Sequence, residues 1–362
     1  MQAKDVTIPK SIGEVDATWL GHVLGAPLSD IKVTQIGQGV GIMGDIFRIE
    51  LAYRTPGEEL VPSVVVKLPS TFEENRAQGV ALGMFEAEVR FYNELAPQIA
   101  SGIPQVYLAA IDSGTADFVI VMQDLCNMSL VDQTLGMNAR QASAAVKAIA
   151  GVHAVWWNRA DSADLAWIPS IIGERVAFVD QLLVQILPVF KDAFAEFLPP
   201  GGVELYDAFA GNYLKINTSL ASRAPWTIAH LDYRVDNMLF DGNDDVTIID
   251  WQCIGRGPGV YDLAYVLGGS LTPEVRREHE KSLVQDYHRQ LSDLGIRDYD
   301  LDALWNDYGH AQLMGGLATS MVIGGGMDLS NERGRRLVAT MASRHAMAAL
   351  DHDGMARLAK LD

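Results

Sequence analysis

The chain has 362 residues, enough to bury one large core or two lobes, and 49% of them are hydrophobic, as in a globular protein. A formal net charge of −18 argues against a nucleic-acid partner, because a phosphate backbone is held by a basic face. With only Cys126 and Cys253 present, no disulfide framework is expected, and the lack of a charged n-region followed by an apolar run points to the cytoplasm.

Residues 1–124 read as β-rich. Short runs at Ile31–Ile36, Ile46–Tyr53, Ser63–Leu68, Gln105–Asp112 and Phe118–Met122 are predicted strands, separated by turn signals such as Arg54-Thr55-Pro56-Gly57. One predicted helix, Ala81–Leu95, interrupts them, with Pro97 helping to end it. From residue 125 onward helices dominate. Asn138 is a predicted N-cap for a helix through Trp156, and a long helix over Ile171–Phe197 is expected to kink or divide at Pro188. Thr272-Pro273-Glu274 opens a helix that runs to Leu294 and stops at Gly295. Leu301–Val322 and Asn331–Lys360 complete the set. Leu313–Met327 is apolar but holds five glycines and falls short of the roughly 20 residues of a membrane span, so it reads as core and no membrane partner is expected. Inside the helical half, Met238–Phe240 and Val246–Ile249 flank the polar run 241–245 and predict a β-hairpin. The pattern is that of an α+β protein with a β-rich lobe, 1–124, and a mainly helical lobe, 125–362.

Chemistry enters the β-rich lobe at Gly37-Gln38-Gly39-Val40-Gly41-Ile42-Met43-Gly44. Gly39, Gly41 and Gly44 form G-x-G-x-x-G, but an alternating strand follows, where a dinucleotide fold needs a helix. The glycines are therefore expected at a hairpin tip, where backbone N–H groups can cover nucleotide phosphates. A dinucleotide-dependent oxidoreductase is disfavoured for the same reason. Val64-Val65-Val66-Lys67 ends a buried-looking strand in a cation, which is costly there unless paired. Glu88 shares a helical face with Phe85, Val89 and Tyr92 and is the expected partner, while Glu86 points elsewhere. Gln123 and Leu125, at the lobe boundary, are placed to read a base through backbone groups.

The densest signal is His230-Leu231-Asp232-Tyr233-Arg234-Val235-Asp236-Asn237, with Ile248-Ile249-Asp250-Trp251 after the hairpin. Phosphoryl transfer needs one carboxylate for the acceptor hydroxyl, here Asp232, and hard oxygen ligands for Mg²⁺, here Asn237 and Asp250. Asp and Asn are also ordinary turn formers. Arg234 can meet the transferred phosphate or pair with a loop acid such as Asp236, and His230 reads as a loop-orienting histidine.

Taken together, His230-x-Asp232-x₄-Asn237, Ile249-Asp250-Trp251-Gln252 and Gly257-Pro258-Gly259-Val260-Tyr261-Asp262-Leu263-Ala264 resemble the aminoglycoside phosphotransferase and choline-kinase-like small-molecule kinases, most of all their ecdysteroid-kinase-like branch. The resemblance implies a two-lobed protein-kinase-like fold with ATP or GTP as donor, Mg²⁺ as cofactor and a small-molecule hydroxyl as acceptor. It implies Asp232 as base, Asn237 and Asp250 as metal ligands, and Lys67, Glu88 and the glycine loop as nucleotide-binding elements. Arg234 stands where protein kinases carry a lysine near the γ-phosphate, and Asp262 matches an aspartate that holds the catalytic loop. One position departs: Leu231 stands where the family usually has glycine, and a positive φ there would strain it. The departure leaves a second reading, a catalytically impaired kinase-like protein that binds a nucleotide or metabolite. The acceptor is not legible; Asp161, Asp164, Asp307 and Asp328 would suit an amine, and Trp156, Trp157, Trp167 and Trp305 a bulky apolar alcohol, although most of these tryptophans are expected in the core and most of these acids in solvent. Oligomeric state is not legible either. Cys126 follows the lobe boundary and Cys253 lies three residues past Asp250, so both could border the nucleotide site, but both are expected to be small buried thiols.

Overall fold

The structure, a computed structural model, describes residues 6–37, 44–55, 57, 60–243, 245–327 and 330–361. The chain divides into two compact units: Met1–Gln98, Ile103–Asn127 and Ile249–Gln252 form the first, and Ile99–Gly102, Met128–Ile248 and Cys253–Asp362 the second.

The first unit is built on a sheet. After helix α1 (Ala17–Leu24) come β1 (Leu28–Ile36), β2 (Gly44–Tyr53) and β3 (Ser63–Pro69), then helices α2 (Glu73–Ala81) and α3 (Met84–Arg90), then β4 (Val106–Ile111) and β5 (Phe118–Gln123). The strands are all antiparallel in the order β1-β2-β3-β5-β4. Successive strand residues face opposite sides, so Val64, Val66 and Leu68 join a core with Leu20, Ile49, Val119 and Val121, and Lys67 is left for the other side. On α3, Phe85, Glu88 and Val89 are buried, and Phe85 packs on Phe118 with ring centroids 4.7 Å apart.

The helix expected over 81–95 is not continuous. Gly83 takes a left-handed φ of 66°, ending α2 and restarting the chain as α3, and residues Phe91–Leu95 form a wider π turn.

The second unit is mainly helical. Its elements are β6 (Ser129–Leu130), α4 (Ala139–Val155), α5 (Glu174–Phe194), α6 (Gly202–Phe209), α7 (Tyr213–Ala221), β7 (Trp226–Ala229), β8 (Met238–Phe240), β9 (Val246–Ile248), β10 (Gly255–Pro258), α8 (Val260–Ser270), α9 (Pro273–Asp293), α10 (Leu301–Ala311), α11 (Gly315–Gly326), α12 (Glu332–Asp351) and α13 (Gly354–Leu358). Asn138 caps α4 in a capping box with Gln141, and Thr272 caps α9 ahead of Pro273. Helix α5 starts three residues later than expected and runs unbroken through Pro188, whose side is exposed. Every residue of α8 is buried, which makes it the central helix of this unit.

The single helix expected over 301–322 is two helices, broken at 312–314. Helix α11 begins with Gly315 and Gly316, where a Cβ would overlap the Tyr261 hydroxyl and the His345 ring respectively. The predicted hairpin is present as β8 and β9, in register Met238↔Ile248, with Ser129↔Phe240 adding β6 at its edge. Strands β7 and β10 form a separate two-stranded ribbon. Helices α6 and α7, α1 and this ribbon were not expected from sequence. Among the described residues no helix is long and apolar enough to cross a membrane.

Candidate active site

In the first unit, β3 delivers Lys67 and α3 delivers Glu88. The Lys67 Nζ donates to Glu88 Oε2 at 2.7 Å and to Asp250 Oδ1 at 2.9 Å. Lys67 and Glu88 are 7% and 1% exposed, so this is a charge cluster inside the fold and not a surface pair. Burial works against the Lys67 charge, but the Asp250 and Glu88 carboxylates outweigh it and raise its pKa, so it keeps its proton. One cation shared by two carboxylates leaves excess negative charge. Glu88 relieves that excess by holding a proton more readily: burial, opposed by Lys67 and helped by Asp250, pushes it up to about 7. Asp250 itself takes a left-handed φ of 63°, and its Oδ2 accepts from Gln252 Nε2 at 3.2 Å. The next residue, Trp251, is fully buried and stacks on Phe91 at 3.9 Å with rings 7° from parallel.

Of the glycine motif, Gly39 and Gly41 lie outside the described residues. Gly44 opens β2, and a Cβ there would come within 2.9 Å of the Leu68 carbonyl and 3.2 Å of Lys67 Cε. Only glycine lets β2 approach the lysine strand so closely. Gln123 ends β5 with its N–H committed to the Gln105 carbonyl at 2.8 Å, so of its two backbone groups the N–H cannot serve a base. Between Gln123 and Leu125, Asp124 is an anchor that sequence reasoning missed. It accepts from Arg48 Nε at 2.8 Å and Nη2 at 3.2 Å and from Ser63 Oγ at 2.7 Å, tying the end of β5 to β2 and β3.

In the second unit the loop between β7 and β8 carries the remaining residues. Asp262, at the start of α8, accepts the backbone N–H of His230 at 2.6 Å on Oδ2 and of Leu231 at 2.9 Å on Oδ1. Holding two consecutive N–H groups on one carboxylate bends the backbone, and Leu231 takes a φ of 63°. The strain anticipated from sequence is therefore present. The Leu231 side chain lies against Gly255, where a Cβ would overlap it. Behind Asp262 stands His153 of α4, with Nε2 3.1 Å from Oδ2 and Nδ1 2.7 Å from the Tyr287 hydroxyl. The carboxylate can only accept, so His153 donates to it from Nε2, and the Tyr287 hydroxyl shares a hydrogen bond with Nδ1. His230 is fully buried, and its Nδ1 accepts the Asp232 N–H at 3.3 Å, an orienting contact.

Asp232 is held at both oxygens. Oδ2 accepts from Asn237 Nδ2 at 3.0 Å, and Oδ1 accepts from the Tyr265 hydroxyl at 2.9 Å. Asn237 also donates to the Asp232 carbonyl at 2.9 Å, which turns its amide nitrogen toward Asp232. Arg234 pairs with Asp236 at 3.0 Å and lies 3.3 Å from Asp232. The chain enters the β8–β9 hairpin through Asn237 and leaves it two residues before Asp250.

Among the described residues no three His, Cys, Asp or Glu side chains gather to hold a metal ion. Mg²⁺ does not require such a cage, since it takes one or two protein ligands with phosphate oxygens and water. Asp250 offers carboxylate oxygens and Asn237 an amide oxygen, donors of the hard type that Mg²⁺ takes.

Among the acceptor-side candidates, Trp156 and Trp157 are core, as expected of most of these tryptophans, whereas Asp307 departs from the solvated position expected of most of these acids. Asp307 is buried and bound by Arg223 at 2.8 Å and the Tyr299 hydroxyl at 2.8 Å, and Trp156 and Trp157 are 2% and 8% exposed, packed in the interior. Asp328 lies outside the described residues. The expectation of two buried thiols is corrected: Cys126 is exposed and Cys253 half-buried.

The β-rich unit with its lysine–glutamate pair and the helical unit with its aspartate loop define a protein-kinase-like fold of the small-molecule kinase type. Residues 38–297 match the model of the ecdysteroid kinase-like family, and the chain belongs to that family. Among solved structures, the macrolide 2′-phosphotransferase MphH of Brachybacterium faecium is similar with a TM-score of 0.50 at 15% identity, over 90% of this chain and 95% of that one. The ethanolamine kinase of Plasmodium vivax is similar with a TM-score of 0.51 at 13% identity, over 89% of this chain and 85% of that one. At such identities the likeness is one of fold. No curated protein matches the chain in sequence.

Proposed function

We propose that the protein is a Mg²⁺-dependent phosphotransferase that moves the γ-phosphate of ATP or GTP to a hydroxyl of a small molecule, in the cytoplasm. The observation that carries this reading is Lys67, buried and shared between Glu88 and Asp250. An ion cluster inside a fold costs several kcal/mol of desolvation and is a weak source of stability, so a phosphate-handling role explains it better than a structural one.

In this reading residues 1–124 serve the nucleotide and 125–362 the chemistry and the acceptor. Lys67, held by Glu88, takes the α- and β-phosphates. Backbone N–H groups of Gly39, Gly41 and Gly44 cover the phosphates. The Gln123 carbonyl and the Leu125 N–H read the base edge, with Asp124 fixing the backbone between them. Asn237 and Asp250 are the residues that would hold Mg²⁺, whose chemistry there is to neutralise charge on the phosphates. Asp232 orients the acceptor hydroxyl and takes its proton. The acceptor oxygen forms its bond to the γ-phosphorus as the bond to the β–γ bridging oxygen breaks, and the nucleoside diphosphate leaves with that electron pair. Arg234, beside Asp232, is placed to meet charge on the transferred group. A binding-only protein is not favoured, because the strained Leu231 is accommodated with Asp232 still held at both oxygens.

Calorimetric titration with MgATP and MgGTP tests the nucleotide side. Lys67→Ala is expected to weaken binding of the preferred nucleotide by about tenfold or more, the loss of one charge-assisted contact set. Equal affinity in the variant contradicts the assignment.

A further inference from the structure

Tyr265 lies outside the motifs that single out the loop, yet it touches the central carboxylate. It sits on α8, one turn beyond Asp262, and is 2% exposed. Its hydroxyl donates to Asp232 Oδ1 at 2.9 Å, while Asn237 holds Oδ2. The ring is fixed on two sides: it lies nearly parallel to Tyr261 at 6.4 Å and edge-on to His345 at 5.3 Å. Thr319 of α11 lies beside the same hydroxyl. The hydroxyl therefore reaches Asp232 from a buried ring that has no freedom to swing.

A carboxylate that accepts an acceptor's proton must present one oxygen lone pair in a fixed direction, and an Asp side chain on a loop has two torsions by which to lose it. Asn237 Nδ2 at 3.0 Å and Arg234 Nε at 3.4 Å both donate to Oδ2, but each has a second duty in the proposed site, at the metal and at the transferred phosphate. Tyr265 has none. We propose that Tyr265 is a positioning residue for phosphoryl transfer, fixing the Asp232 carboxylate through its hydroxyl so that the remaining lone pairs face the acceptor. The proposal rests on the reading of Asp232 as the base.

The change Tyr265→Phe removes one oxygen and keeps the ring between Tyr261 and His345, so the fold is retained. The assay is acceptor-independent hydrolysis of MgATP and MgGTP, in which water takes the acceptor's place. Tyr265→Phe is expected to lower kcat about tenfold, the effect of one lost charge-assisted hydrogen bond, with the nucleotide KM unchanged. In an Asp232→Asn background the same change is expected to lower kcat no further, because its effect passes through the carboxylate. A purely structural tyrosine would instead slow both backgrounds by the same factor, and that result overturns the proposal. If Asp232→Asn is slow while Tyr265→Phe matches wild type, the positioning role alone fails; if Asp232→Asn matches wild type, the base reading fails and takes this one with it. A crystal structure of Tyr265→Phe gives a readout independent of turnover. Asp232 spread over a second rotamer supports the proposal, and a single unchanged rotamer overturns it.

Discussion

At the scale of single residues, Leu231 is the position where sequence and structure meet most sharply. Its left-handed backbone costs a non-glycine residue on the order of 1–2 kcal/mol, and two hydrogen bonds to Asp262 hold it there. The side chain is not idle, because it covers Gly255. Leu231→Gly relieves the strain but loses that packing and adds freedom to the unfolded chain, so its net effect on stability is expected within about 1 kcal/mol. Leu231→Val, β-branched at positive φ, has no such compensation and is expected to destabilise by about 1–2 kcal/mol. Urea denaturation of the pair checks the order; Val at or above wild-type stability contradicts it. The chemistry of Asp232, Asn237, Lys67 and Glu88 was visible in residue type and spacing. Tyr265, His153 and Asp124 were not, since each meets its partner across 33 to 109 residues or from another strand, and no local pattern records such a pairing.

At the scale of elements, strands were legible because alternation and turn residues are local, and the five strands of the first sheet fall where the pattern places them. Helix ends with caps, at Asn138 and Thr272, were legible for the same reason. The break at Gly83 is local, a left-handed glycine inside an otherwise helical pattern, and was legible in principle, whereas the break at 312–314 answers to tertiary packing and was not. Helices α8, α11 and α12 meet where glycines make room: Gly315 for Tyr261, and Gly268, Gly269 and Gly316 for His345 and Gln312. A methyl group at Gly316 would meet the His345 ring, which has no space to retreat. Gly316→Ala is accordingly expected to cost about 2 kcal/mol or more despite alanine's better helix propensity, as read from thermal unfolding. An unchanged or raised Tm would show that these helices are not packed through the glycines.

At the scale of the whole molecule, buried titratable groups set how stability follows pH. Burial, with Arg344 and Arg276 nearby, holds His345 down to about 3, and burial holds His310 down to about 4. Unfolded, each takes a proton near 6.5, so each withdraws stability as pH falls from 6.5 toward those values, approaching about 1.4 kcal/mol per pH unit. Glu88 has the opposite sign: raised from 4.5 to about 7, it favours the folded state as pH falls through that window. Asp236, which burial also raises, adds to the gain at the acid end of the range, so the two histidines dominate only in its upper part, and His345→Asn is expected to lessen the loss of stability on going from pH 7.5 to 5.0. Urea midpoints for wild type and variant at pH 7.5 and 5.0 read the difference, and equal slopes contradict it. Phosphoryl transfer itself is read directly by following the label. ATP and GTP labelled at the γ-phosphate, offered with a panel of amino, macrocyclic and polycyclic alcohols, should yield a labelled alcohol with the wild-type protein. Asp232→Asn should cut that transfer by about 10²–10⁴-fold while nucleotide affinity holds. Label transferred at the wild-type rate by Asp232→Asn would contradict the account.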